Sequence, residues 1–479
     1  MSNRKKISLC MVIVLFAQFV LFGQAWGECT IGVASGQVTV DSRPILVKVR
    51  DGSNVPQQVV YVSGSPYSYI GIRSQGGDIF MGLNEAGVAT GNSYVSTPGG
   101  STSNSAIQCH ILQSYSNLDE IRAYLHSEVN NGTCNASGCF PFIDAQGNAS
   151  IFEINRSNWI WEYDSIDPDR QAQGLYGFVV RANEFHQHPD GTDDTTITGG
   201  RYESGTYNMS GLVGVNNLSV RTIIQGNDGA NGYEFARYGP GRPLATIARS
   251  SNLSGMAIHG VMPGEDPALS TMWVIMGQAN FGIAVPVWVK VSDIPACLSN
   301  GQMYERARSL FQKGDEQTIQ SSTFPAEAHM FAEVDELLTH WRQQGVPSAA
   351  QMRRIEHRMA EDAYSLLHCL DNVQSDNKAP DVSFDVFVDG LEATFIPSAT
   401  DADGSIEDIE WNFGDGEGSS DSSAVHVYAE EGTYLVSCTV TDDDGVSITD
   451  WRYCFIPEPS MMILLLIGGV GLIRRKIVN

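Results

Sequence analysis

Positive charge is scarce in this chain: 29 Lys and Arg stand against 55 Asp and Glu over 479 residues, a formal net charge of −26. So acidic a surface repels phosphate backbones and anionic headgroups, which argues against nucleic acid and anionic membrane as partners. The short motifs of common hydrolytic and nucleotide chemistry are also missing. There is no G-x-S-x-G elbow, no H-E-x-x-H zinc helix and no Walker loop. Cys134 and Cys139 have the spacing of a zinc half-site, but no second pair lies near them, so no metal is expected. The apolar stretch near the C-terminus, Met461 to Ile473, is shorter than the roughly 20 residues that span a bilayer comfortably. A length of 479 residues is too great for one ordinary domain, and suggests roughly two to four.

What is present begins with an export signal. Arg4, Lys5 and Lys6 precede an apolar run from Ile7 to Phe22, and Ala25-Trp26-Gly27 is a small-x-small cleavage site. Residues 1–28 are therefore read as a signal peptide. Cys29 follows, at the head of Thr30-Ile31-Gly32-Val33-Ala34, a turn at Asp41 to Pro44, and the aliphatic run Ile45 to Val49 ending on Arg50 and Asp51. This reads as a β-hairpin with a cysteine at its start.

A thiol attacks as thiolate, and a free cysteine of pKa about 8.5 is mostly protonated at neutral pH. An α-amine, with pKa of roughly 7.7 to 8.0, can take that proton. If Cys29 becomes the first residue of the mature chain, nucleophile and base sit on one residue. Cutting after Gly27 would leave Glu28 in front of it. Cleavage must then fall after Glu28, or Glu28 must be trimmed. At the strand end, Asp51 is expected to hold the amine and Arg50 to shape the field at the thiolate. The plainer alternative for the pair is an exposed ion pair worth about 0 to 1 kcal/mol.

This order of Cys-Thr, Gly, turn, aliphatic run and Arg-Asp resembles the N-terminal nucleophile hydrolases. The acyl-CoA:isopenicillin-N acyltransferase and carcinine hydrolase branch is most similar, with choloylglycine hydrolases and penicillin V acylases as cousins. Further matching stretches are Gly82-Leu83-Asn84-Glu85-Ala86-Gly87-Val88-Ala89, Arg181-Ala182-Asn183-Glu184-Phe185, and Thr271-Met272-Trp273 through Pro286-Val287-Trp288. The resemblance covers roughly Cys29 to Lys290. It implies an α+β fold, the four-layer αββα core, and no cofactor. It also implies oxyanion donors at Asn183 and, with shifted spacing, Asn92; Arg221 loosely matches an arginine of the family. A neutral side-chain amide, already oriented, suits that task.

Downstream, Asn117 is a candidate N-cap for a helix with acidic residues in its first turn. Gln146-Gly147-Asn148 joins two strands. His186 and His188 stand near Asp190, Asp193 and Asp194, a stretch read as a solvated loop. In an oxidising compartment Cys134 with Cys139, and Cys438 with Cys454, are candidate disulfides. From 299 to 370 the apolar period becomes helical, with Tyr304, Ala307, Leu310 and Phe311 on one face and Phe331, Val334, Leu337 and Leu338 on another. This segment is expected to pack on the core.

After a polar linker at 371–380, residues 381–456 alternate as short strands with Asp/Gly turns. Trp411-Asn412-Phe413-Gly414-Asp415-Gly416, Tyr428, Tyr434 and Asp442-Asp443-Asp444-Gly445 resemble a PKD domain, an immunoglobulin-like sandwich with Trp411 in its core. Residues 457–479, with Pro457-Glu458-Pro459, the apolar run and Arg474-Arg475-Lys476, resemble a PEP-CTERM sorting tag. That implies exosortase-type sorting machinery as a partner, transient anchoring at the inner membrane, and a place in the cell envelope or outside the cell.

The function expected is an exported cysteine hydrolase acting on a linear amide or peptide-like substrate, with the core at 29–298. An acyltransferase or a dipeptidase of the same superfamily is an alternative. So is an inactive surface protein that binds polysaccharide or protein through its PKD domain.

Overall fold

The computed structural model describes residues 29–99, 102–173, 175–186, 201–202, 205–206, 209, 251–372 and 376–457. The proposed signal peptide, Arg221, His188 with its neighbouring aspartates, and all of the proposed tag except Pro457 lie outside these residues. Among the described residues no helix is long and apolar enough to cross a membrane.

Two antiparallel sheets form the centre. The smaller has six strands: β1 (Thr30–Ala34), β2 (Ile45–Asp51), β11 (Phe178–Arg181), β12 (Asn252–His259), β13 (Thr271–Met276) and β14 (Val285–Val287), in the order β11-β1-β2-β12-β13-β14. The larger contains β3 (Gln57–Val62), β4 (Tyr69–Ser74), β5 (Ile79–Asn84), β6 (Ala89–Gly91), β7 (Ser93–Tyr94), β8 (Ser137–Ile143), β9 (Ala149–Asn155) and β10 (Trp159–Asp164). Its order is β10-β9-β8-β6-β5-β4-β3, with β7 also paired to β8. Ile31, Val33 and Val47 of one sheet share a core with Ile70, Ile72, Ile143 and Ile151 of the other. A strand sandwiched in this way is apolar on both faces, which explains why β1 and most of β2 are continuous aliphatic runs.

Helices α1 (Asn104–Ser114) and α2 (Leu118–Asn130) cover the outer face of the larger sheet. Ile107, Ile111, Ile121 and Leu125 meet Phe140, Phe142, Phe152 and Ile154 there. Asn117 caps α2, its side chain accepting from the backbone N–H of Glu120 at 3.0 Å. Helices α3 (Gln302–Lys313), α4 (Glu316–Gln344) and α5 (Ala349–Asn372) lie against the smaller sheet. Phe331 stacks on Trp273 at 3.8 Å between ring centroids. Buried Glu327 and Glu356 accept the backbone N–H groups of Ala284 and Trp288, at 2.6 and 2.8 Å. The chain is therefore helix, sheet, sheet, helix in layers.

A second β unit follows. Strands β15 (Asp381–Asp389), β16 (Glu392–Thr400) and β19 (Ala424–Val427) form one sheet. Strands β17 (Ile406–Asn412), β18 (Gly418–Ser419), β20 (Gly432–Asp442) and β21 (Ser447–Ile456) form the other. Trp411 fills the space between them, at 5.2 Å from Phe384 and 5.7 Å from Phe395. The outer face of the four-stranded sheet docks on α4 and α5. Tyr453 stacks on His340 at 3.6 Å and accepts the indole N–H of Trp341 at 2.5 Å.

The candidate disulfides do not form, and all eight described cysteines are free. Cys438 stands opposite Asp450, while Cys454 stands opposite Tyr434, four residues further along the β20–β21 ladder. At about 3.4 Å per residue that offset is far beyond the reach of a disulfide. Cys139 faces the core between the sheets, whereas Cys134 belongs to the cluster under α1 and α2.

Candidate active site

Cys29 is the residue just before β1 and is 7% exposed. Its carbonyl oxygen accepts from a guanidinium N–H of Arg201 and, at 3.4 Å, from the Ser93 hydroxyl. Ser93 also donates to the carbonyl of Ala182. These bonds tie the start of β1 to β7 and to the end of β11. Strand β7 can lie this close because residue 138 is glycine: a Cβ there would sit 2.4 Å from the Ser93 carbonyl oxygen, at φ +153.

A cavity of about 250 Å³ opens beside Cys29, and Lys48, Arg50, Asp51 and Asn92 line it. Phe80, Tyr94 and the polar residues Thr102, Asn104 and Ser105 complete the wall. Lys48 and Arg50 alternate onto the same face of β2. Asp51 belongs to the opposite set, but the pairing of β2 with β12 shifts between Asn252 and Ser254. This irregularity sets Asn252 against Asp51, whose carboxylate accepts from the Asn252 amide.

Lys48 is 1% exposed. Its ammonium donates to the Asn92 carbonyl, to Asn92 Oδ1 at 2.9 Å and to the Phe80 carbonyl at 3.2 Å. Burial pushes its pKa down to about 8; a negative charge on Cys29 works in the other direction. An ammonium has only donors, so Asn92 must turn its oxygen to Lys48, which leaves its NH2 as the amide's donor. Gly91 leaves room for the lysine stem, since a Cβ there would meet Lys48 Cδ at 3.0 Å.

Arg50 lies 3.5 Å from the centre of the Phe80 ring and donates to Gln57 and, at 3.0 Å, to the Ser74 hydroxyl. Burial lowers its pKa to about 10, opposed by charge on Cys29 and Tyr304. Asp51 is pushed up to about 7 by burial, against the lowering effect of Asn252, Arg201 and Ser251. One buried cation, one half-buried cation and one carboxyl group with raised pKa thus line the cavity with the thiol.

Asn183 sits at the end of β11. Its NH2 donates to the Tyr94 carbonyl at 2.7 Å and its oxygen accepts from Arg201 at 2.9 Å. It is joined to Cys29 through Arg201 and does not line the cavity. The Arg181–Glu153 pair, buried at 2% and 0% exposure with 2.6 Å between Nε and Oε1, fixes this strand end. Glu153 also accepts the backbone N–H of His186 at 3.0 Å. Among the described residues no group of three or more His, Cys, Asp or Glu is placed to hold a metal.

Sequence reasoning missed Lys48 and Arg201. A signal for Lys48 existed: a lysine inside an aliphatic strand of a layered core has nowhere to go but a polar site. Arg201 carried none, because its role depends on where its segment returns to the sheet.

The PKD domain family model matches residues 377–453, so the C-terminal sandwich is a PKD domain. The pre-pro-metalloprotease PrtV of Vibrio cholerae is 32% identical over 102 residues, covering 21% of this chain and 11% of that protein. The chain thus spans about a tenth of that relative's length. The PKD1 domain of Vibrio anguillarum Epp is 36% identical, covering 17% of this chain and 99% of that one, at a TM-score of 0.17. Penicillin V acylase from Agrobacterium tumefaciens is 16% identical, covering 54% of this chain and 86% of that one, at a TM-score of 0.32. At that score the likeness decides neither fold nor activity.

Proposed function

We propose that the chain is an exported cysteine hydrolase that cleaves a linear amide through an acyl-enzyme on Cys29. The observation that carries this reading is the convergence of Cys29, Lys48, Arg50, Asp51 and Asn92 on one cavity. Cys29 is linked to Glu28 by an amide in the uncut chain, and becomes self-sufficient once that bond is broken. Its freed α-amine takes the thiol proton. The thiolate attacks the substrate carbonyl carbon, and the C–N bond breaks as the α-ammonium returns the proton to the leaving amine. Water, deprotonated by the same amine, then releases the acid and restores the thiol.

The roles of the neighbours follow from their placement. Asn92, with its oxygen held by Lys48, directs its NH2 toward the oxyanion. Lys48 and Arg50 supply fixed positive charge for the thiolate in a setting that screens it poorly. Asp51 holds the amine. Asn183 orders the wall through Tyr94 and Arg201. Hydrolysis is favoured over acyl-CoA transfer because acyl-CoA is scarce outside the cell. Residues 1–28 direct export, and 457–479 serve as the sorting tag.

The test uses protein purified from the exporting host, incubated with a panel of N-acyl amino acids, acylated amines and dipeptides. An acyl adduct on Cys29, absent from Cys29→Ala, is expected by mass spectrometry. Full turnover by Cys29→Ala would overturn the proposal.

A further inference from the structure

A second cavity lies where the PKD domain docks on α5. It encloses about 220 Å³, and Arg354, Arg358, Glu410, Asn412, Ser437, Thr439 and Trp451 line it. The sheet supplies one wall in register: Asn412 stands opposite Ser437, Ser437 opposite Trp451, and Glu410 opposite Thr439. The helix supplies the other, with Arg354 and Arg358 one turn apart on α5.

The two arginines differ. Arg358 pairs with Asp362 at 2.9 Å and donates to the Thr449 hydroxyl at 3.0 Å. Arg354 donates to Asn412 Oδ1 and to the Leu435 carbonyl, both at 2.9 Å, and its guanidinium lies 5.5 Å from the Trp451 ring centre. Among the described residues it has no carboxylate within ion-pair distance. Its buried Nε–H has no acceptor, and neither has the indole N–H of Trp451, a residue 2% exposed. A half-buried cation without a counter-ion is unusual in a chain of net charge −26.

We propose that this niche binds a small hydroxylated carboxylate, of the kind a uronic acid residue presents. The carboxylate would accept from the terminal N–H groups of the Arg354 guanidinium, beside the Trp451 ring. Ser437, Thr439 and Asn412 offer hydroxyl and amide groups to the ring hydroxyls. The volume suits a single ring and is too small for a drug-sized ligand. Glu410, in the same wall, opposes the ligand's charge and limits its affinity. This site is separate from Cys29 and does not depend on the activity proposed there.

The test is a titration of the full chain, with 15N-labelled tryptophan, by D-glucuronate. The Trp451 indole signal, assigned with Trp451→Phe, is the readout. A saturable shift is expected with glucuronate and not with glucose. Glu410→Gln should tighten binding about fivefold, the worth of one exposed charge contact, and Arg354→Gln should abolish it. An unmoved indole signal overturns the proposal. So does an equal shift with acetate, which would mean an adventitious ion only, or tighter binding of an acidic peptide. If Arg354→Gln fails to fold, the native chain and Glu410→Gln decide the matter.

Discussion

Lys48→Met should abolish turnover while leaving the fold about as stable as before at pH 7. Burial depresses the lysine pKa from 10.5 to about 8. At 1.36 kcal/mol per pH unit, that is a cost of about 3 kcal/mol for keeping the ammonium buried at pH 7. Removing the charge recovers it. Removing the donor leaves the two Asn92 oxygens unpaired, at about 1 to 3 kcal/mol, while the Phe80 carbonyl still accepts from the Gln108 amide at 3.1 Å. The two effects offset. The sign of the pH dependence separates them from chance. Between about pH 8 and 10.5 the folded chain has lost this proton and the unfolded chain still holds it, so native stability rises with pH by about 3 kcal/mol from this group. The methionine variant lacks that rise. Urea unfolding of both proteins from pH 7 to 10, followed by tryptophan fluorescence, gives the difference profile. Equal slopes in the two proteins would refute the electrostatic reasoning. Full amide turnover by a Lys48→Met protein with a free Cys29 amine would refute the role in the site.

Asp51→Asn should lower kcat/KM about 100-fold, because the amine that transfers the proton is no longer held in place. Its raised pKa, about 7, means the folded chain binds more protons than the unfolded between about pH 4 and 7. Native stability therefore falls over that window by at most about 4 kcal/mol, and the asparagine variant should not show this fall in denaturant titrations. Arg181→Leu leaves Glu153 buried without its cation and should cost about 3 to 5 kcal/mol; the double variant with Glu153→Gln should recover part of that, measured by the same unfolding.

The hairpin after Cys29 was legible because its aliphatic run and turn are local signals, and so was the sandwich around Trp411. A two-layer sheet core with outer helices fits the strand and helix patterns of the residues, whereas the four-layer αββα order was only what the resemblance implies. Arg50 and Asp51 stood out as a charged strand end, yet alternation alone would put them on opposite faces. The irregular pairing at Asn252, which sets an amide against the Asp51 carboxylate, lies 201 residues along the chain and left no local signal. Asn183 illustrates the opposite limit. Its place after β11 was readable, but that its amide is engaged by Tyr94 depends on a strand 89 residues earlier. The proposed disulfides failed for a related reason: proximity in sequence says nothing about strand register.

The central claim is that Cys29 works with its own α-amine, and the N-terminal sequence and intact mass of the exported protein test it most directly. A mature chain that begins at Cys29, and that gains the mass of an acyl group when mixed with substrate, is the predicted result. A chain that stably begins at Glu28 yet turns over amides would contradict it, because the thiol would then be working without the base assigned to it.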